Sequence, residues 1–433
     1  MISYRQPTVL SEKIVRLSLV GLFFFFSAQV GFTAPKNKPA PIISLGADGR
    51  LSYISDSRGN RVPDFSYCGY KNSEQPIPIV PVRVVVPAKE GDATLRIQSA
   101  LDYVASLPVD KDGFRGAVLL DKGIHSVEGS LNFNASGVVL RGFGYGPGGT
   151  VLLAAGTDRR TLIRVSGQND KKFSPEIKIA DNYVPVNAKS FRLTEISGLK
   201  VGDLIRIHRP STAEWIDTLK CDHFGGGINY LGWKPGTRDI YWDRKITAIN
   251  GTQISIDVPL TTALDEAFGG GSVSRYQWPA QVTQTGIENM LIRSSYDGNN
   301  PKDEAHSWMA ITIDNTCDAW VRQITFEHFA GSAVAVYENA HRVTVEDCKS
   351  LAPVSEIGGQ RRYTFFTTGQ QTLFQRCYAE YGYHDFAVGA CAAGPNAFVQ
   401  CESKLPHSFS GTIDSWASGV LFDVVNIDGN ALS

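Results

Sequence analysis

The fold of this chain is decided by Ile287-Glu-Asn-Met290-Leu-Ile292 and five later segments that align with it without gaps. The other five are Val321-Arg-Gln-Ile324-Thr-Phe326, Val345-Glu-Asp-Cys348-Lys-Ser350, Phe374-Gln-Arg-Cys377-Tyr-Ala379, Phe398-Val-Gln-Cys401-Glu-Ser403 and Leu421-Phe-Asp-Val424-Val-Asn426. Their first residues lie 34, 24, 29, 24 and 23 positions apart. Position 1 is always apolar, position 4 is apolar or cysteine, and positions 2 and 3 are mostly polar.

This repeat predicts a solenoid with one short strand per turn. Such a strand buries its inward side chains only by stacking on the strands before and after it. β-branched and aromatic residues at position 1 favour strand, and the apolar spacing does not persist at i, i+3, i+4, i+7 as a helix requires. Uneven spacing indicates strands in register with loops of variable length, which is typical of a parallel β-helix.

The composition of the chain argues against nucleic acid as a partner. The chain has 433 residues, abundant glycine and a formal net charge of -1. A nucleic-acid-binding protein needs a basic footprint, which this balance does not provide. A solenoid of this length can form one unit, although it exceeds an average domain.

The N-terminus predicts export. Residues 1–34 resemble a signal peptide, since Lys13 and Arg16 precede a short apolar run over residues 17–28. That run is short for a membrane span, so we expect a secreted or periplasmic protein with no membrane contact after cleavage. An uncleaved N-terminal anchor is the alternative. Residues 35–80 then form a linker and an irregular arm, which we expect to pack on the end of the barrel.

Seven cysteines occur, an odd number that leaves at least one unpaired. Cys348, Cys377 and Cys401 share position 4 of three successive rungs. Stacked strands lie about 4.8 Å apart, which is within disulfide range. We favour a ladder of buried thiols, because cysteine packs as a small hydrophobe. No C-x-x-C pair occurs, so we expect no structural zinc site.

The region before the rungs carries a recognisable pattern. Val82–Val86 is apolar, and an amphipathic helix with Leu95, Ile97, Ala100, Leu101 and Val104 on one stripe follows. Further matches run from Gly91 to Asp102, Gly116 to Leu120, Lys122 to His125, Gly137 to Gly144 and Gly148 to Leu152. Together these segments resemble the N-terminal cap and first coils of the pectate-lyase-like β-helix superfamily. The resemblance implies a right-handed parallel β-helix and carbohydrate as the substrate class, but no particular reaction.

Residues 183–275 depart from the rung pattern and predict an inserted small β-subdomain, with a hairpin signal at Asn250-Gly251. This divides the chain into 81–182, with the cap helix and first coils, the insertion, and the rungs at 276–433. Aromatic residues on its Gly-rich loop suit sugar stacking, although a packed loop core explains them equally well. These substrate-binding candidates are Trp215, Tyr230, Trp233 and Trp242. The chain stops soon after the last rung with no visible cap, so a truncated β-helix is one expectation.

The candidate chemistry follows the rungs, because successive turns line up outward side chains along one groove. Polar side chains after consecutive rungs are concentrated there, and they are His328, Glu356, Arg361, Arg362, Tyr363, Glu380, His384, Asp385, His407, Asp414 and Trp416. Of these, His328, Glu380 and Trp416 are assigned to substrate binding. The others are catalytic candidates.

Two reactions fit these residue types. Elimination from a uronate polymer needs a cation for the carboxylate and a base for the C5 proton. Arg361 and Arg362 suit the first role, and His384, His407 or Tyr363 suit the base and acid. Asp385 would orient an imidazole, either that of the adjacent His384 or that of a neighbouring histidine. We therefore favour a lyase of acidic glycans. Hydrolysis would instead use two carboxylates among Glu356, Glu380, Asp385 and Asp414.

Three further alternatives remain open on the sequence. A calcium ion would use Asp385, Glu356 and Glu380 as oxygen ligands, although no compact acidic run favours it and we assign no metal ligands. The chain could also be a non-catalytic carbohydrate-binding or surface β-helix. Solvated loops carry charges by default, so each single residue is more often structural than catalytic. Nothing in the sequence specifies an oligomeric state.

Overall fold

The computed structural model describes residues 42–223, 232–413 and 416–432. The predicted signal peptide, Tyr230 and Asp414 lie outside the described residues. In the described part of the chain, no helix is both long enough and apolar enough to cross a membrane.

The chain forms a parallel β-helix, as the repeat predicts, from a long sheet of 15 strands and a short sheet of 7 strands. The long sheet contains Val82–Val86, Gly116–Leu120, Gly123–Val127, Val138–Gly144, Thr150–Ala154, Val282–Ser294, Thr316–Glu327, His341–Glu346, Lys349–Leu351, Gln370–Gln375, Tyr378–Glu380, Asn396–Val399, Glu402–Lys404, Val420–Asp423 and Asn426–Ile427. The short sheet contains Leu131–Phe133, Thr161–Ser166, Met309–Asp314, Val334–Val336, Phe365–Thr367, Phe386–Gly389 and Gly411–Ile413.

The rungs stack in the predicted register except at the last one. Ile287 pairs with Val321, and the first residues of the next three segments continue that ladder. At the sixth rung, however, Phe398 pairs with Phe422 and not with Leu421. The predicted alignment is therefore wrong there by one residue. Both residues are apolar, and the ring of Phe422, which stacks 4.9 Å from that of Phe398, takes the inward position.

Inward side chains of the rungs form the core. Phe374 stacks on Phe398 with ring centroids 4.9 Å apart. Cys348, Cys377 and Cys401 are buried free thiols at the neighbouring position, so the predicted thiol ladder is confirmed. Burial raises the pKa of the Cys348 thiol to about 12, which keeps it protonated and unreactive.

The helix Thr94–Ser106 packs against the first turns of the β-helix. Ile97, Ala100, Leu101 and Val104 are buried in the core, but Leu95 is 77% exposed and is not part of the buried stripe. Asp92 accepts a hydrogen bond from the backbone N–H of Thr94 at 2.9 Å.

An antiparallel sheet is inserted between the strands Thr161–Ser166 and Val282–Ser294. It begins at Lys172, earlier than the boundary at 183 derived from sequence, and encloses a second apolar core. Its strands are Lys172–Phe173, Ile177–Lys178, Ser190–Arg192, Leu204–Arg209, Ile240–Asn250, Gln253–Ile256 and Ser272–Gln277. A separate pair, Tyr183–Val184 with Leu264–Asp265, and the helix Ala213–Leu219 complete the insertion.

The N-terminal arm begins with the hairpin Ile43–Leu45 and Leu51–Tyr53 and then crosses the side of the long sheet. Tyr70 donates its hydroxyl to Gln284, and its backbone N–H bonds the Thr344 hydroxyl. Lys71 pairs with Asp318 at 2.9 Å. Because these partners belong to successive rungs, the expected packing on the end of the barrel is wrong.

Candidate functional site

Several of the predicted catalytic residues form one cluster beside the strands Phe365–Thr367 and Phe386–Gly389. The His384 ring is largely buried, accepts edge contacts from Tyr363 and Phe409, and places Nδ1 2.6 Å from the Phe409 carbonyl oxygen. Its backbone N–H donates to the Arg362 carbonyl at 3.2 Å. Three of the predicted residues, Tyr363, Arg362 and His384, are therefore neighbours.

Arg362 points away from solvent. Its guanidinium donates to the hydroxyl and carbonyl of Ser355 at 2.9 and 2.8 Å and to the Tyr381 carbonyl at 3.1 Å. Burial lowers its pKa. His407 is exposed nearby, and partial burial followed by the charge of Arg362 lowers the pKa of its imidazole, which is therefore neutral at neutral pH.

Arg361 turns to a different partner than Arg362. It pairs with Glu304, which also binds Arg159, and both arginines approach the Trp308 ring. The exposed Glu356 pairs with Lys302 at 3.0 Å. These two candidates belong to a surface ion-pair network.

Asp385 does not orient His384, contrary to the prediction. Its carboxyl group is fully buried and accepts hydrogen bonds from Thr364 at 2.7 Å and from Ser403 at 2.6 Å. Burial raises its pKa. Asp385 and His384 are adjacent in sequence, and the carboxyl group takes the inward position.

Glu380 and His328 have partners outside that cluster. The Glu380 carboxylate accepts the Ala352 backbone N–H at 3.2 Å. His328 contacts Tyr296 edge-on, and burial lowers the pKa of its imidazole. Among the described residues no group of three or more His, Cys, Asp and Glu side chains has metal-binding geometry, so Asp385, Glu356 and Glu380 do not form the alternative calcium site.

The aromatic candidates divide into two sets. Trp215, Trp233 and Trp416 contact one another, with ring centroids 4.7 to 6.2 Å apart. Trp242 is fully buried and donates its indole N–H to Thr261 and to the Ala393 carbonyl. The prediction that Trp242 binds sugar is wrong. Alternation along the strand Ile240–Asn250 turns Trp242 inward and Tyr241 outward.

The structure contains a cleft that the sequence-based reasoning missed. A cavity of about 380 Å³ lies between the inserted sheet and the turns that follow the short sheet. Arg206, Asp239 and Tyr241 line it from the insertion, and Glu338 and Asn339 line it from the β-helix. We call this cavity the cleft.

Two carboxyl groups lie on neighbouring turns beside the cleft, and one of them, Glu338, lines it. Asp314 ends the strand Met309–Asp314, and Glu338 follows Val334–Val336, the next strand of the short sheet. Burial raises the pKa of Asp314, and the charge of Glu338 raises it further. Backbone hydrogen bonds from Asn315 and Asn339 oppose that shift without cancelling it. The surroundings of Asp314 therefore raise its pKa above that of an ordinary aspartate.

A third carboxyl group, that of Asp239, lines the cleft from the side of the inserted sheet. Asp239 accepts hydrogen bonds from Ser211 at 2.7 Å and interacts with His208 Nε2 at 2.8 Å. Burial raises the pKa of Asp239, but these hydrogen bonds outweigh it and leave the pKa lowered. The Tyr241 hydroxyl lies 3.3 Å from the same carboxylate, and the Tyr241 ring stacks on His208.

The cations of the cleft share one buried counter-ion. Asp243 accepts two hydrogen bonds from Arg206, at 2.9 and 3.0 Å, and binds Lys171 Nζ at 3.1 Å. Burial raises the pKa of Asp243, but the charges of Arg206 and Lys171 dominate and lower it. Lys171 also donates to Asn339 at 3.1 Å, which joins the insertion to the turn that carries Glu338.

The sequence does contain a signal for the carboxyl pair Asp314 and Glu338. Asp314-Asn315 and Glu338-Asn339 both follow apolar strands closely, as acid–asparagine pairs at related positions of neighbouring turns. Both pairs follow strands of the short sheet, whereas the repeat that predicted the site residues belongs to the long sheet.

No protein-family model and no curated protein sequence matches the chain. Three similar solved structures differ widely from it in sequence. The tailspike protein gp49 from Pseudomonas phage LKA1 is 12% identical over 76% of this chain and 52% of its own, with a TM-score of 0.44. The polygalacturonase from Erwinia carotovora ssp. carotovora is 12% identical over 83% and 72%, with a TM-score of 0.35.

The third is a tailspike double mutant of E. coli bacteriophage HK620 in complex with a pentasaccharide. It is 13% identical over 89% of this chain and 52% of its own, with a TM-score of 0.32. The chain thus spans about half of the length of these two tailspikes. The fold assignment depends on the strand pairing described above.

Proposed function

We propose that this chain is an exported, secreted or periplasmic polysaccharide-active enzyme that hydrolyses glycosidic bonds in the cleft. The single observation that carries the proposal is the pair Asp314 and Glu338 on neighbouring turns, with Glu338 lining the cleft and the pKa of Asp314 raised by burial and by the charge of Glu338. Glycoside hydrolysis needs a protonated carboxyl group for the leaving oxygen and an ionised one on the other side of the bond.

The roles follow from the surroundings of each group. Asp314, whose pKa is raised by burial and by the charge of Glu338, would act as general acid. Glu338, which lines the cleft, would activate water or attack the sugar directly. Asn339 and Lys171 would hold the turn that carries Glu338, because Lys171 Nζ bonds the Asn339 side chain.

The test is cleavage of a panel of polysaccharides, with new reducing ends and the ultraviolet absorbance of unsaturated uronates measured in parallel. We expect reducing ends without that absorbance. Loss of general-acid catalysis lowers rates by roughly 100-fold to 10,000-fold, so Asp314→Asn and Glu338→Gln should both fall in this range. Glu195→Gln, an exposed carboxyl group on the insertion, is the matched control.

Elimination at the sequence-predicted cluster is the second candidate. It is favoured by exposed His407 beside Arg362, because a neutral imidazole near a cation can act as base. Unsaturated product that disappears in His407→Ala and His384→Ala, but persists in Asp314→Asn, would transfer the proposal to that cluster. Binding without any product would overturn both reactions and favour a carbohydrate-binding protein.

A further inference from the structure

The cleft continues along the outer face of the inserted sheet. A second cavity of about 420 Å³ shares Arg206 and Tyr241 with the cleft, and a third of about 390 Å³ shares Glu176 and His208 with the second. Because consecutive cavities share lining residues, they form one trough. Three connected cavities suit several units of a linear polymer rather than a single small molecule.

Aromatic faces line this trough. Phe173 is 47% exposed and Tyr241 is 42% exposed, so both rings are accessible to a ligand. The Arg206 guanidinium lies between them, 5.1 Å from the Phe173 centroid and 5.4 Å from the Tyr241 centroid. The His208 ring stacks on the Tyr241 ring, with centroids 4.7 Å apart. The two rings are therefore held in place before any ligand binds.

The charges of the trough disfavour the binding of a polyanion. Its described lining residues include five acidic side chains and two basic ones, besides His208. The acidic set is Glu176, Asp181, Asp239, Glu266 and Glu338. Of the two basic residues, Arg206 already binds Asp243 through two hydrogen bonds, and of the five acidic residues Asp181 is paired with Arg192 at 2.7 Å. A uronate or sulfate group would meet carboxylates of its own sign in a partly desolvated site, which is unfavourable.

We infer that the trough is the binding surface for an uncharged polysaccharide, with Phe173 and Tyr241 stacking on its sugar rings and the neighbouring carboxylates accepting hydrogen bonds from its hydroxyl groups. This inference rests on the proposed function in taking the cleft as the polysaccharide site. It replaces the acidic glycan expected from the sequence, whose neutralising arginines Arg361 and Arg362 are engaged elsewhere.

Affinity electrophoresis separates binding from cleavage. Asp314→Asn is run through gels containing dextran, galactomannan, arabinan, polygalacturonate or alginate, because an asparagine cannot act as general acid and the polymer should remain uncleaved during the run. We expect retardation by at least one neutral polymer and by neither acidic one. Tyr241→Ala and Phe173→Ala should each weaken the retarding interaction roughly 3- to 10-fold, whereas Tyr241→Phe, which keeps the ring, should not.

Each outcome decides the inference. Retardation by an acidic polymer that is lost in Tyr241→Ala would overturn it, as would retardation by none of the five. Neutral retardation that survives in both Phe173→Ala and Tyr241→Ala would place the glycan elsewhere and also overturn it. Neutral binding at this surface with no hydrolysis by the unsubstituted protein would retain the inference and refute the proposed reaction.

Discussion

Asp314 and Asp243 are carboxyl groups beside the same cleft, but their pKa values shift in opposite directions. Burial and Glu338 raise the pKa of Asp314 above its ordinary 3.8. Burial also opposes ionisation of Asp243, but Arg206 and Lys171 prevail and lower its pKa. Relative to an ordinary aspartate, the surroundings of Asp314 favour the protonated form and those of Asp243 favour the ionised form. The two groups therefore have opposite effects on the pH dependence of stability.

A raised pKa stabilises the folded state below the ordinary pKa, and this contribution is lost as pH rises through the shifted value. Asparagine cannot ionise and has no such loss. The free energy of unfolding of Asp314→Asn, relative to the unsubstituted protein, should therefore rise as pH increases from acidic to neutral. Urea unfolding across that range measures the free energy of unfolding of both proteins. A difference that stays constant with pH would contradict the assigned direction of the Asp314 shift.

Asp243→Asn should behave in the opposite way. A lowered pKa stabilises the protein above the ordinary pKa, and that contribution disappears as pH falls through the shifted value. Removing the charge leaves Lys171 and Arg206 without a counter-ion, which we expect to cost about 3–5 kcal/mol at neutral pH. The same urea series should show this deficit shrinking toward acid pH. An equal deficit at all pH values would indicate lost hydrogen bonds alone.

At the scale of elements, Arg244 fixes the inserted sheet to the β-helix. Its buried guanidinium donates to the carbonyls of Asp243, Val258, Pro259 and Gly394 and to the Gln370 side chain, at 2.9 to 3.2 Å. Arg244→Met would leave these acceptors buried and unpaired, at about 1–3 kcal/mol for each group that water cannot reach. We expect a total loss of at least about 3 kcal/mol in chemical unfolding.

Arg244→Lys should not restore that stability, because an ammonium group lacks the planar fork that reaches five acceptors. The exposed neighbour Lys245, on the same strand, supplies the matched control Lys245→Met. If Arg244→Lys unfolds like the unsubstituted protein, charge alone and not the fork geometry connects the two elements.

Local pattern predicts the strands but not the cleft. The sequence of each rung segment determines its register, because position 1 must be apolar. The predicted register failed only at the sixth rung, where Leu421 and Phe422 are both apolar. Tyr241 and Trp242 are consecutive on one strand and therefore face opposite sides of the sheet. The sequence alone does not show which side faces the core. The cleft joins Lys171 to Asn339 across 168 positions, so only the packing of the insertion brings its residues together.

At the scale of the whole molecule, the arm connects rungs that otherwise contact only their neighbours. Tyr70 is 4% exposed, and it bonds Gln284 and Thr344 and packs edge-on against Trp320 at 5.2 Å. Asn72 extends the connection to Gln371 at 2.7 Å. Openings of single rungs should therefore be coupled through the arm.

Tyr70→Ala should cost about 3–5 kcal/mol, the usual cost of deleting a buried aromatic ring. Hydrogen exchange followed by mass spectrometry should show faster exchange at once in the strands Val282–Ser294, Thr316–Glu327, His341–Glu346 and Gln370–Gln375. Tyr70→Phe removes only the hydrogen bond to Gln284 and should cost about 1 kcal/mol. Tyr103→Ala, at a ring 56% exposed on the helix Thr94–Ser106, should leave these strands unchanged. Faster exchange confined to the arm in Tyr70→Ala would mean that the β-helix holds its rungs together without it.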